Sequence, residues 1–240
     1  MSTLKNIFLG SVIVGATVLA IPANAQTKQN EPISAEARAK ADAEVDAKSA
    51  EWVSSLNLSD KAKEARLKQV ISTHLKAVRD WHNSHSANDV PAGINPATGN
   101  TLSTLDRQVI AVSSIPKTVH TDLMSGLRAD LSEEQVEAVL DKYTIGKVAF
   151  TMKAYKEIVP NMTPQEEETL LKNLKLAREQ AIDYKNMTLI SAIFEIYKTK
   201  NEQFLNTNGR SWRQMYSDYT KALKAKKAAE QERQKVKAER

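Results

Sequence analysis

The stretch SDKAKEARLKQVISTHLKAVRDWHN, residues 59–83, decides the fold class. Leu67, Val70, Ile71, Leu75, Val78 and Trp81 recur at intervals of three and four, the spacing of one face of an α-helix, and charged or polar residues fill most of the positions between. Ser59 and Asp60 supply a start signal, so the pattern predicts a helix from there to about Asn83. The same grammar extends outward. Towards the N-terminus, Val45, Ser49, Trp52, Val53 and Leu56 mark a first helix over about 34–55.

Towards the C-terminus, Asn88–Thr101 holds Pro91, Gly93, Pro96 and Gly99, four of the eleven Gly and Pro residues after Ala25, and reads as one long irregular loop. Helical patterning resumes weakly over Leu105–Ser113, and Pro116 opens another helix with Val119, Leu123 and Leu127 on one face. Ser132 and Gln135 form a capping box before Val136, Val139, Leu140 and Tyr143. Ile145–Thr151 reads as a bend or an extended crossing before a short helix ending at Pro160. Thr163-Pro164-Gln165-Glu166 repeats the capping logic for a helix reaching about Lys185, and a further one over about 188–206 stops at Asn208-Gly209. A last helix starts near Ser211 with Trp212, Met215, Tyr216, Tyr219 and Leu223 on one face. The expectation is an all-α, bundle-like single domain of about seven helices over 34–223, followed by a charged helical tail over 224–240.

Residues 1–25 carry Lys5, an apolar stretch from Ile7 to Ala20, and the small-residue triplet Ala23-Asn24-Ala25, the pattern of an export signal cleaved near Ala25. The apolar run is shorter than the roughly 20 residues of a membrane-spanning helix. Residues 26–33 read as a flexible lead-in, and a periplasmic or secreted location follows. The chain holds 34 Lys and Arg against 29 Asp and Glu. Without Lys5 the count is 33 against 29, and the whole excess lies in residues 217–240, with eight basic and four acidic side chains. The body is neutral, so the basic balance belongs to one tail and no nucleic-acid partner is inferred. There is no Cys, which excludes disulfides and thiolate metal sites.

The densest polar cluster is Arg79-Asp80-Trp81-His82-Asn83-Ser84-His85. His82 and His85 share a helix face, a spacing that can present two imidazoles to a ligand. A metal would need further donors from His74, Asp80, Asp89 or His120, and with no metal signature present neither a metal site nor a cofactor is assigned. Acid/base work on a polar ligand would use His82 or His120 as proton carrier, with Arg79, Arg107 or Lys147 facing anionic groups. Trp81 is able to stack on a sugar face but also falls in the helix stripe. His74 reads as packed on that stripe. Arg178, Asp183 and Tyr184 read as charge and polar pairs across helices, and Asn57, Asn161 and Asn186 as caps at helix starts.

Several segments together resemble a family of exported bacterial proteins of unknown function: Arg79–Asn83, Val90–Pro96 with Asn95, Asp106-Arg107-Gln108, Leu131–Glu137, Lys147-Val148, Tyr155, Ile158–Pro160, Ala177–Ala181, and Ala192–Phe194 with Tyr197-Lys198. The resemblance spans about residues 50–220. Members are often encoded in polysaccharide-utilisation clusters, including those for pectic glycans, so it implies a role in complex-carbohydrate use, with an oligosaccharide or another exported protein as partner. It brings no catalytic residue. Leu131-Ser132-Glu133-Glu134-Gln135 also resembles the L-T-x-x-Q signature of small periplasmic helical chaperones.

Three functions are therefore carried forward. One is an accessory protein of carbohydrate use. Another is a lyase or hydrolase on acidic oligosaccharides, with His82, Arg79 and Arg107 as catalytic residues and Trp81, Asn83, His85, Asn95, His120 and Lys147 contacting the ligand. The third is a client-binding chaperone.

Overall fold

Asp60 opens the deciding helix as expected: its carboxylate accepts from the amides of Ala62 (2.8 Å) and Lys63 (3.1 Å). The computed structural model describes residues 34–96 and 98–238. Among these the elements are α1 (Ala35–Ser54), α2 (Lys61–Ser84), α3 (Thr104–Ser113), α4 (Lys117–Asp130), α5 (Glu133–Thr144), α6 (Lys147–Ile158), α7 (Pro164–Ala181), α8 (Met187–Thr207) and α9 (Trp212–Ala238). A short 3-10 turn covers Ala87–Asp89, and one isolated bridge joins Ile94 to Thr101. The all-α class holds, with nine helices among the described residues. The expected export signal over 1–25 and the expected lead-in over 26–33 lie outside them. None of the described helices is long and apolar enough to cross a membrane.

Local chemistry explains where the helices begin and end. Both expected capping boxes form, at Ser132/Gln135 and at Thr163/Glu166 with Pro164 in the first turn, and Gly209 takes φ 80° after α8. Of the two forms expected over Ile145–Thr151, a bend or an extended crossing, the structure has the bend, a two-residue turn. Ile145 and Gly146 both adopt left-handed backbone (φ 53° and 65°), and α6 starts at Lys147. Ile145 caps α5 with its amide on Asp141 O, a conformation that a β-branched residue adopts at a cost, so its side chain gave no warning of it. Asn186 caps α8, accepting from the Leu189 amide, whereas Asn57 and Asn161 follow α1 and α6 with φ 50° and 49°. Those two are left-handed stops, tolerated because Asn bears that conformation better than most residues.

The chain from Lys40 onward is one compact unit with two apolar clusters. One gathers α6, α7 and α8 around Leu170, Leu174, Ile193 and Phe194; the other gathers α1, α2, α4 and α5 around Val53, Leu67, Ile71 and Leu127. The α7–α8 junction joins them, since Ile182 is buried in the second cluster and Tyr184 in the first. The innermost line of α2 runs Leu67, Ile71, His74, Val78, so a histidine occupies a core position.

α2 and α4 pack closely because α4 offers Gly126. A Cβ placed there would lie 2.7 Å from a Val70 methyl, and Val70, branched at Cβ, has little freedom to move aside. By contrast, α1 is held against α2 by side chains: Arg79 to Asp42 (2.7 Å), Lys76 to Asp46 (2.7 Å), and Ser72 donating to Asp46. The space left between these two helices is the cavity described below.

Two outcomes test this packing. Gly126→Ala is expected to destabilise the wild type by about 1–2 kcal/mol through overpacking. In a Val70→Ala background the same change should stabilise by about 1 kcal/mol, because only helix propensity remains, as read from a denaturant double-mutant cycle. The second concerns Glu166, which is almost fully buried and accepts from Arg210 (2.8 and 2.9 Å), the Thr163 amide (2.8 Å) and Asn208 (3.0 Å). The Arg210 bonds outweigh burial and bring its pKa from 4.5 to about 2. A depressed folded pKa stabilises above the ordinary value, and that stability is lost as pH falls through the folded one. Glu166→Gln should lose about 1–3 kcal/mol at neutral pH, and its stability should fall less steeply than the wild type's between about pH 5 and 2 in acid-unfolding curves.

Candidate functional site

α7 ends at Ala181 rather than near Lys185, and the five residues before α8 place a carboxylate between two histidines. Asp183 Oδ1 lies 3.0 Å from His74 Nε2 of α2, and Asp183 Oδ2 lies 2.9 Å from His120 Nδ1 of α4. Burial acts to raise the Asp183 pKa, but the bonds from His120 and His74 bring it below the ordinary carboxylate value. The ionised group only accepts, so both facing ring nitrogens carry protons. His120 is raised above its ordinary value, first by the bond to Asp183, against burial, with Glu179 Oε1 adding attraction at 3.6 Å from Nε2. His74 is 2% exposed and its Nδ1 has no partner. Its ring meets Tyr143 edge-on at 5.3 Å, and Tyr143 meets Trp52 at 4.8 Å.

Beside this network lies a cavity of about 450 Å³, walled by α1, α2, Tyr143 of α5 and the α7–α8 junction. Its size falls in the range of small-ligand sites. Trp52, Tyr143 and Tyr184 give it aromatic walls; Lys48, Arg79 and Lys185 bring positive charge, and Glu44 is the one carboxylate among its lining residues. Lys48 lies over the Trp52 ring at 4.9 Å. Arg79 is committed to Asp42 and Asp80 at 2.7 and 2.8 Å. Lys185, exposed at the rim, donates to Asn83 Oδ1 at 2.6 Å. It pairs with no carboxylate among the described residues. Burial and then the Arg79 charge lower its pKa, with Asp80 opposing. The Tyr143 hydroxyl is buried with no hydrogen-bond partner, and burial followed by the Asp183 charge raises its pKa well above the ordinary phenol value.

The residues singled out from sequence divide into groups. Arg79 and Asn83 line the cavity, and His82 lies close enough for Lys185 to depress its pKa, behind the larger effect of burial. His85 stacks on Trp81 at 3.7 Å, and Trp81 packs against the α6–α8 cluster. Arg107 donates to Val90 O at 2.8 Å, while its neighbour Gln108 ties Ala87 and His85 through their backbones, so these residues hold the long loop. Asn95 binds the loop to itself through its amide on Asn100 O. Lys147 lies over Phe194 at 5.6 Å, and His120 belongs with Asp183. Among the described residues no group of three or more His, Asp and Glu could hold a metal ion.

A model of the protein family of unknown function DUF3826 matches residues 42–225. The chain belongs to the DUF3826 family. No curated protein matches it. The DUF3826 match begins inside α1 and ends inside α9, taking in every cavity residue from Glu44 to Ile190 and omitting most of the charged tail.

Trp52, Tyr143, Tyr184 and Lys185 were not singled out as ligand contacts from the sequence. Two signals pointed to them. A histidine stands at a core position of α2, and the polar run Asp183-Tyr184-Lys185-Asn186 interrupts two apolar helices.

The Asp183 network has a defined pH window. The raised His120 stabilises fully below its ordinary 6.5, and this is lost as pH rises through its folded value; the lowered Asp183 stabilises above 3.8, and this is lost as pH falls. Asp183→Asn is expected to lower the His120 pKa in a proton NMR titration. Its stability deficit should be greatest between about pH 4 and 6.5.

Proposed function

We propose that this DUF3826 protein binds a carboxylate-bearing sugar in the α1–α2 cavity, as an exported accessory of acidic-glycan use. The observation that carries the reading is the uncompensated positive wall: Lys185 and Lys48 face a cavity whose lining includes one carboxylate, beside aromatic rings. Cations recognise carboxylates, and aromatic faces suit the apolar faces of sugar rings. Arg79, His82 and Asn83 enter the proposal as the α2 side of the site, with Lys185 opposite. The export reading is supported by the leader-like pattern of residues 1–25, and the carbohydrate setting by the sequence resemblance.

Calorimetric titration with short oligouronides, matched against neutral oligosaccharides of the same length, tests the reading. Saturable binding of the acidic ligands alone is expected, weakening as salt is raised. Lys185→Ala should weaken it about tenfold or more, the usual effect of losing a hydrogen bond to a charged group. His85→Ala, off the cavity, should leave it within a factor of two or so. Equal affinity for neutral and acidic sugars would overturn the proposal.

A further inference from the structure

The three rings in the cavity wall are nearly covered: Trp52 is 6% exposed, Tyr143 7% and Tyr184 5%. A sugar stacks only on an open ring face, so a sugar that stacks here needs one cover to move. The covers differ in what holds them. Tyr143 is packed edge-on between Trp52 at 4.8 Å and His74 at 5.3 Å, inside the cluster of Leu67, Ile71 and Leu127. Tyr184 is buried in the other cluster, next to the pinned Asp183. Over Trp52, by contrast, lies the Lys48 ammonium, 4.9 Å from the ring centroid. Lys48 stands one turn before Trp52 on α1, is itself exposed, and reaches the ring on a flexible four-carbon stem. It pairs with no carboxylate among the described residues. Of the three covers, only this one moves without unpacking the core.

We propose that Lys48 is the specificity-determining residue of this site, a latch that leaves the Trp52 face for a ligand carboxylate and so lets a uronide ring stack there while a neutral sugar is turned away. The proposal rests on the acidic-sugar reading and names the residue that discriminates. The attraction between an ammonium and an indole face is lost when any ring takes the ammonium's place. A neutral sugar gives Lys48 nothing in exchange. A carboxylate gives it a charge-assisted hydrogen bond, which is roughly twice as strong as a neutral one. In a uronide the carboxylate and the apolar C–H face belong to one ring, so the group that draws the latch aside is carried by the ring that replaces it. Lys185, on the α7–α8 junction, attracts any anion; Lys48 makes stacking conditional on one.

The test compares short oligouronides with neutral oligosaccharides of the same length by calorimetry. Lys48→Ala keeps a good helix former in α1 and uncovers Trp52. It is expected to weaken oligouronide binding about tenfold, the usual effect of losing a hydrogen bond to a charged group, and to bring neutral binding up by several-fold, so that the preference collapses from both sides. Lys48→Arg should keep the preference. Weaker acidic binding with neutral binding unchanged means that Lys48 acts only as a charge, and overturns the latch. Proton NMR supplies a second reading. In the ligand-free wild type the Lys48 methylene next to the ammonium should be shifted upfield by the indole ring current, assigned by its loss in Lys48→Ala, and should return to the ordinary lysine position on saturation with oligouronide. A methylene that stays upfield in that complex overturns the latch and leaves the binding proposal standing. Absence of oligouronide binding to the wild type overturns both.

Discussion

The structure turns on one carboxylate. Asp183 accepts from a histidine of α2 and a histidine of α4 at once, and it does so from the five-residue junction that carries the chain from α7 into α8. The residues on either side are buried in different apolar clusters, Ile182 with α1, α2, α4 and α5, and Tyr184 with α6, α7 and α8. An ion held at such a boundary fixes direction as well as position, because both of its oxygens are used. With Asp183 pinned, Tyr184 and Lys185 have no choice but to form the cavity wall.

The cavity follows from how the remaining helices are held. α4 lies close to α2 through Gly126, whereas α1 is held to α2 by long charged side chains reaching across to Asp42 and Asp46. Open space bounded by cations and rings is thus a product of ion pairing. The same Arg79 that anchors α1 also repels Lys185, so holding the helix and adjusting the amine are one arrangement.

Local chemistry was legible in the sequence and distant chemistry was not. The capping boxes at Ser132 and Thr163 and the stop at Gly209 involve residues within four positions of each other, and each forms as the pattern indicates. At Ile145-Gly146 a bend was one of the two legible readings, but the left-handed backbone of Ile145 was not, because isoleucine is a poor marker of it, and Asn57 and Asn161 were placed at the wrong end of a helix because asparagine serves both ends. The candidate site was half legible. Arg79, His82 and Asn83 stood out on one helical turn, but Lys185 meets Asn83 from 102 positions away and Tyr143 sits in the expected apolar stripe of α5. Nothing in a helical period separates a tyrosine that packs from one whose hydroxyl is left waiting.

The edge-on pair of Trp52 and Tyr143 has an optical consequence. Of the three tryptophans, Trp52 alone lines the cavity, buried and beneath Lys48, while Trp81 is stacked under His85 and Trp212 packs beside Tyr155. The protein therefore carries its own fluorophore in the wall of the proposed site, and a guest entering there is expected to shift its emission colour without any label.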